Sequence, residues 1–120
     1  MPVPILKQGD TLIASVVSAL TDDDLIQLRD ELAQRIGTVR ARSVVIDVTA
    51  LDVLDSFATR TLRGIAYTAR LRGADTCIVG IQPEVAFAMV QLGLTLEGVS
   101  TALDLEAGMA MLQARRRDRR

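Results

Sequence analysis

Histidine is absent from this 120-residue chain, cysteine occurs once, at Cys77, and lysine once, at Lys7. Each scarcity removes a class of chemistry. Without imidazole there is no serine triad of the usual kind, no histidine acid/base catalysis and none of the common zinc sites. A lone cysteine cannot close an internal disulfide, and Cys77 lies in the apolar stretch "CIVG", where it reads as a small core residue. With no Trp, two Phe and one Tyr, the chain has no stacking platform for nucleic-acid bases. Long apolar runs are missing too. "VVI" and "VAFAMV" fall far short of a membrane span, and the start "MPVPILKQGD" lacks a basic region leading into an apolar segment. The expected location is the cytoplasm.

What is present fits one domain. A 49% hydrophobic and 24% charged composition supports a sizeable core. The net charge of −1 hides an asymmetry: residues 1–114 carry nine basic and fourteen acidic side chains, and "RRRDRR" at 115–120 adds five Arg and one Asp. The expectation is a single domain over 1–114 and a basic, disordered tail over 115–120.

Along the chain, β-type and helical patterns alternate. "PILK" (4–7) and "TLIASVV" (11–17) flank "QGD", a hairpin signal that predicts antiparallel pairing. Thr21 before "DDD" marks a helix start, and Leu25, Leu28, Leu32 and Ile36 recur at helical spacing up to Gly37. "SVVIDV" (43–48) has the continuous β-branched character of a strand covered on both faces. A helix from Ser56 to about Arg72 places Ala58, Leu62, Ile65 and Ala69 inward and stops at Gly73. "ADTCIVG" is the next strand, and Pro83 opens a helix running to Gly93. "VSTAL" is a short strand, and Asp104 caps a last helix with Leu105, Met109 and Leu112 inward. The order ββαβαβαβα predicts an α/β fold with a mixed, mostly parallel sheet. The helix after Pro83 is apolar nearly all round, as expected of a helix covered partly by the sheet and partly by another subunit.

One stretch stands out. "DVLDSFATRTLRG" (52–64) carries the chain from the carboxyl end of the central strand into a helix, and open α/β sheets place their sites there. Ser56 falls at the expected cap position. Around it, Val53, Leu54 and Phe57 are apolar anchors, Asp52 and Asp55 are acidic, and Arg60 and Arg63 follow at helical spacing. Such a mixture has the character of a docking surface. Catalysis is not expected. Asp47, Asp52 and Asp55 offer carboxylates to Mg²⁺, yet the chain has neither a Gly-rich phosphate loop nor a nearby lysine, so neither cofactor nor metal is expected. A phospho-accepting receiver domain looks for a late lysine, and the only lysine is Lys7.

With an Asp-Ser step after "VVIDVTALDVL", the order of elements resembles the STAS fold of anti-sigma-factor antagonists. Within it, "PILKQGDTLI", "DVLDSFATR" and "GIQPEVAFAMVQLGLTLEGVSTALDLEAG" resemble small stressosome scaffold proteins of the RsbS type. The likeness runs from Pro4 to about Leu112. Phe57 and Ala58 follow the Asp-Ser step where simple antagonists have Ser or Thr and then Gly, a departure shared with the stressosome subgroup.

The resemblance implies a non-enzymatic switch. It implies co-assembly with larger sensory paralogues of the RsbR type into a shell, and sequestration of a switch-type serine kinase released on phosphorylation and reset by a phosphatase. Ser56 matches the phospho-accepting serine, with Thr59 a second candidate. Asp52, Val53, Leu54, Asp55, Phe57, Arg60 and Arg63 are the expected partner-binding residues. Two other readings stay open: a stand-alone antagonist binding one kinase, and a small-ligand sensor.

Overall fold

The computed structural model describes residues 3–17 and 20–118. Strands β1 (Ile5–Gln8) and β2 (Thr11–Ser15) form the expected hairpin, turning at Gly9 with φ 61°. Helix α1 (Asp22–Val39) then returns the chain to β3 (Ser43–Asp47). There follow α2 (Ser56–Leu71), β4 (Asp75–Val79), α3 (Pro83–Gln91), β5 (Ser100–Ala102) and α4 (Leu105–Asp118). The sheet order is β1-β2-β3-β4-β5, with β1 antiparallel and every other pairing parallel. The expected ββαβαβαβα order and mostly parallel sheet are both present. Its edges are β1, four residues long, and β5, three residues long.

Alternation along the strands separates two cores. Leu12, Ala14, Val44, Ile46 and Ile78 face α1, α2 and α3, joined by Leu25, Leu28, Leu32 and Ile36 of α1 and by Leu62 and Ile65 of α2. Ile13, Val45, Cys77 and Val79 face Leu112 of α4 on the other side. There α4 lies close to the sheet: a Cβ on Gly108 would come within 2.6 Å of Val79 Cγ1. Glycine is the only residue that lets the helix backbone approach so far. Buried beside it, Cys77 has its thiol pushed up by desolvation and stays protonated, as a core residue.

Local chemistry sets the helix ends. Thr21 Oγ1 accepts from the Asp24 N–H at 3.1 Å, and Asp24 Oδ2 accepts from the Thr21 N–H at 3.0 Å, a reciprocal capping box. The latter bond holds the Asp24 carboxyl below its ordinary value of 3.8. Its contribution to stability is therefore present above that value and is lost as pH falls through the lowered one.

Several boundaries differ from the sequence reading. Helix α1 passes through Gly37 and ends at Arg40, whose φ of 54° closes it in the left-handed conformation. In α4 the buried positions are Gly108 and Leu112, with Met109 half-buried and Leu105 exposed, because the helix meets the sheet along its glycine side. The larger correction concerns the basic tail. Residues 115–118 are helical rather than disordered: Arg116 Nη1 donates to Asp10 Oδ1 at 2.8 Å and a second bond joins Arg116 Nη2 to Asp10 Oδ2, pinning the last turns of α4 to the β1–β2 turn. Arg119 and Arg120 lie outside the described residues.

Candidate functional site

Strand β3 ends at Asp47, and the chain turns over the edge of the sheet before entering α2. Asp47 Oδ1 accepts from both the Thr49 N–H, at 2.9 Å, and the Thr49 hydroxyl, at 2.6 Å. This carboxylate, which the sequence offers as a possible Mg²⁺ ligand, therefore builds a turn. Gln82 Nε2 donates to Thr49 O at 2.7 Å, so the start of α3 braces the same loop. Among the described residues no cluster of three or more metal-ligating side chains exists.

The cap of α2 is Asp55, not Ser56. Asp55 has extended backbone, and its Oδ1 accepts from the Ala58 N–H at 2.8 Å, satisfying one of the orphan amides of the first turn. Ser56 is thereby moved to the first helical position, exposed, and among the described residues no hydrogen bond engages its hydroxyl. The aspartate thus holds the helix end and leaves the serine hydroxyl exposed. Replacing Asp55 by Ala is expected to lower stability by about 1 kcal/mol in chemical denaturation, with a larger effect on α2 than on α4 in hydrogen exchange.

The other expected site residues separate by burial. Val53 is 71% exposed, whereas Leu54 is 4% exposed and belongs to the core beneath the loop. Leu54 is thus unavailable to a partner, a correction to the apolar pair expected there: Leu54 turns into the core while Val53 stays at the surface. Phe57 is half-buried against the core, Asp52 and Arg60 are exposed and Arg63 is half-buried. Arg60 makes no ion pair among the described residues, so neither Asp52 nor Asp55 is neutralised by it. Thr59 is 1% exposed, and its Oγ1 donates to Asp55 O at 2.9 Å, which locks it inside the first turn.

Beside the loop lies a cavity of about 260 Å³ that the sequence does not reveal. It is lined by Leu25 and Leu51 and rimmed by Asp22, Asp52 and Asp55, so the first turn of α1 and the loop before α2 share one acidic mouth. A single spacing could not disclose this, because Asp22 and Asp52 are thirty residues apart in sequence.

Residues 3–106 match the STAS domain family. Among solved structures, a serine-to-glutamate variant of RsbS from Moorella thermoacetica is 39% identical, covers 96% of this chain and 97% of its own, and superposes with a TM-score of 0.82. A chain from the molecular architecture of the stressosome, a signal integration and transduction hub, is also 39% identical, covers 95% of this chain and 99% of its own, and gives 0.80. The RsbT co-antagonist protein RsbRA of Bacillus subtilis (strain 168) is 27% identical over 107 residues, which are 89% of this chain and 38% of that protein. This chain spans two fifths or less of the curated relatives it matches. With the five-stranded sheet, the four helices and this full-length likeness, the chain belongs to the STAS-domain family and, within it, to the RsbS stressosome type.

Proposed function

We propose that this chain is a non-enzymatic scaffold subunit of a bacterial stressosome that holds a switch-type serine kinase and releases it when Ser56 is phosphorylated. The observation that carries the reading is the free, exposed Ser56 hydroxyl at the first position of α2, beside Val53, Asp52 and Asp55. Its setting suits the chemistry. Phosphorylation adds roughly −1.5 to −2 charge at pH 7, and a helix N-terminus accepts an anion readily, so the fold persists. What changes is the surface: a hydrated dianion appears next to two carboxylates that no arginine offsets among the described residues, in the middle of the apolar contact made by Val53 and Phe57.

The likeness to RsbS and RsbR proteins supports co-assembly with a larger sensory paralogue of the RsbR type, and a phosphatase completes the cycle. Helix α3 supports self-association. It buries Val85 and Met89 on the sheet while Phe87 is 71% and Val90 76% exposed, an apolar face whose burial against a second subunit is favourable.

The test is incubation with the cognate kinase and ATP followed by mass spectrometry. Phosphate is expected on Ser56 and not on Thr59, whose hydroxyl a kinase cannot reach without unwinding α2. Transfer to Thr59 instead, or none to Ser56, would overturn the proposal. Sizing of the same protein with its paralogue separates a shell of many subunits from a one-to-one antagonist complex.

A further inference from the structure

The topology enriches arginine at one end of the molecule and aspartate at the other, with Glu97 and Asp118 as exposed acids at the arginine end and Arg60 as an exposed base near the start of α2. Helices α1, α2 and α4 each return against the parallel strands, so their C-termini gather where those strands begin. The backbone ties this end together: the Arg42 N–H donates to Asp10 O at 2.8 Å, and the Asp75 N–H to Arg42 O at 3.1 Å. Arg72 lies over Gly37 of α1, and Arg116 is bound to Asp10. Arg40, Arg42, Arg72, Arg115 and Arg117 are all exposed there, and none forms an ion pair among the described residues. Because Arg116 is neutralised by Asp10, the last turn of α4 is fixed with Arg115 and Arg117 presented to solvent.

The other end is acidic. Asp22 and Asp23 open α1, Asp52 and Asp55 precede α2, and Asp104 and Glu106 open α4, all exposed. Part of this arrangement complements the helix dipoles. The dipoles do not make the two ends neutralise each other. Sixteen-residue α2, which joins them, is about 24 Å long, roughly three times the ~8 Å Debye length at physiological salt. Within one molecule the two poles are screened from each other; brought together between two molecules, they attract.

We propose that the arginine end of one copy docks on the aspartate end of a second copy, a head-to-tail contact centred on Arg115 and Arg117 against Asp22 and Asp23. Charge complementarity names the occupant. The chain itself carries an acidic surface to match the basic one, and the competing anionic occupants, a DNA duplex and an anionic lipid surface, are outcomes of the test below. A contact between unlike surfaces is heterologous, so it propagates from copy to copy, in contrast to the self-complementary patch on α3. The proposal extends the scaffold reading, and its test involves no kinase, so failure of one is distinguishable from failure of the other.

The experiment is sedimentation of the full chain at about 50 mM and about 500 mM salt, since contacts of this kind weaken as screening rises. Species larger than those surviving at high salt are expected at low salt. Arg115→Glu/Arg117→Glu and Asp22→Lys/Asp23→Lys, each folded by circular dichroism, should lose those species with at least about tenfold weaker association. Mixing the two variants restores a complex, because the new acidic end of one meets the new basic end of the other. A mixture that associates no better than either variant alone would overturn the proposal, as would association indifferent to salt. Wild-type chain that stays unassociated at low salt but binds a DNA duplex or vesicles of anionic lipid through Arg115 and Arg117 would also overturn it.

Discussion

A Ser56→Asp chain is expected to fold like the parent and to retain the partner kinase at least about tenfold less than a Ser56→Ala chain, read by pulldown at matched concentrations. Folding is preserved because Asp55, rather than Ser56, closes the end of α2, so neither substitution removes the bond to the Ala58 N–H. A carboxylate at the first helical position is also favoured by the helix dipole. The loss of binding arises outside the fold. The new charge lies beside Asp52 and Asp55, to neither of which an arginine is paired among the described residues, and covering it with a partner requires removing its water, at a cost of about 1–3 kcal/mol or more. Phosphate, with more charge and a larger hydration shell, should act more strongly than aspartate. The proposal fails if the two variants hold the kinase equally while both remain folded.

The second large effect is expected at Gly80, between β4 and α3. Its φ is 82°, in the region that L side chains rarely adopt, and a Cβ placed there would collide with the Thr49 hydroxyl and lie 3.1 Å from Thr49 Cβ and 3.2 Å from Asp47 Oδ1. Thr49 cannot simply swing away, because its hydroxyl and N–H are both held by Asp47 and its carbonyl by Gln82. Gly80→Ala therefore combines backbone strain with steric displacement, and a loss of about 2–4 kcal/mol in urea unfolding is expected. Since the displaced turn leads to Asp55 and Ser56, slower phosphorylation of the remaining folded protein should accompany it. Unchanged stability and an unchanged rate would show that the loop has slack which these bonds do not suggest.

Much of the fold is legible in the sequence because period and composition are local signals. Leu25, Leu28, Leu32 and Ile36 announce α1, the β-branched run announces β3, and Thr21 with its acids announces a cap; each feature is decided by residues within one element. Ser56 is legible as the start of a helix for the same reason. The one-residue shift of the cap to Asp55 is not, since Asp and Ser are comparable cap formers and only the backbone conformation chooses between them. Leu54 misleads because a single inward turn in a loop leaves no periodicity. The ordering of Arg115–Asp118 rests on Asp10, more than a hundred residues earlier, and no local pattern carries that pairing. The brace from Gln82 to Thr49 is hidden for the same reason.

The two short sheet edges have a consequence for the proposed assembly. An open strand is a template for another strand, and if this chain is a scaffold subunit as proposed, it would stand beside copies of itself at risk of fusing with them through its backbone. Here β1 follows Pro4, which has no N–H to give, and carries Lys7, while β5 offers only three residues between Gly98 and Asp104. Backbone pairing is thus discouraged at both borders. In the proposed assembly, contacts among copies would then fall to side chains on helices and loops, which can be made and unmade by a change of charge, whereas a continuous sheet could not.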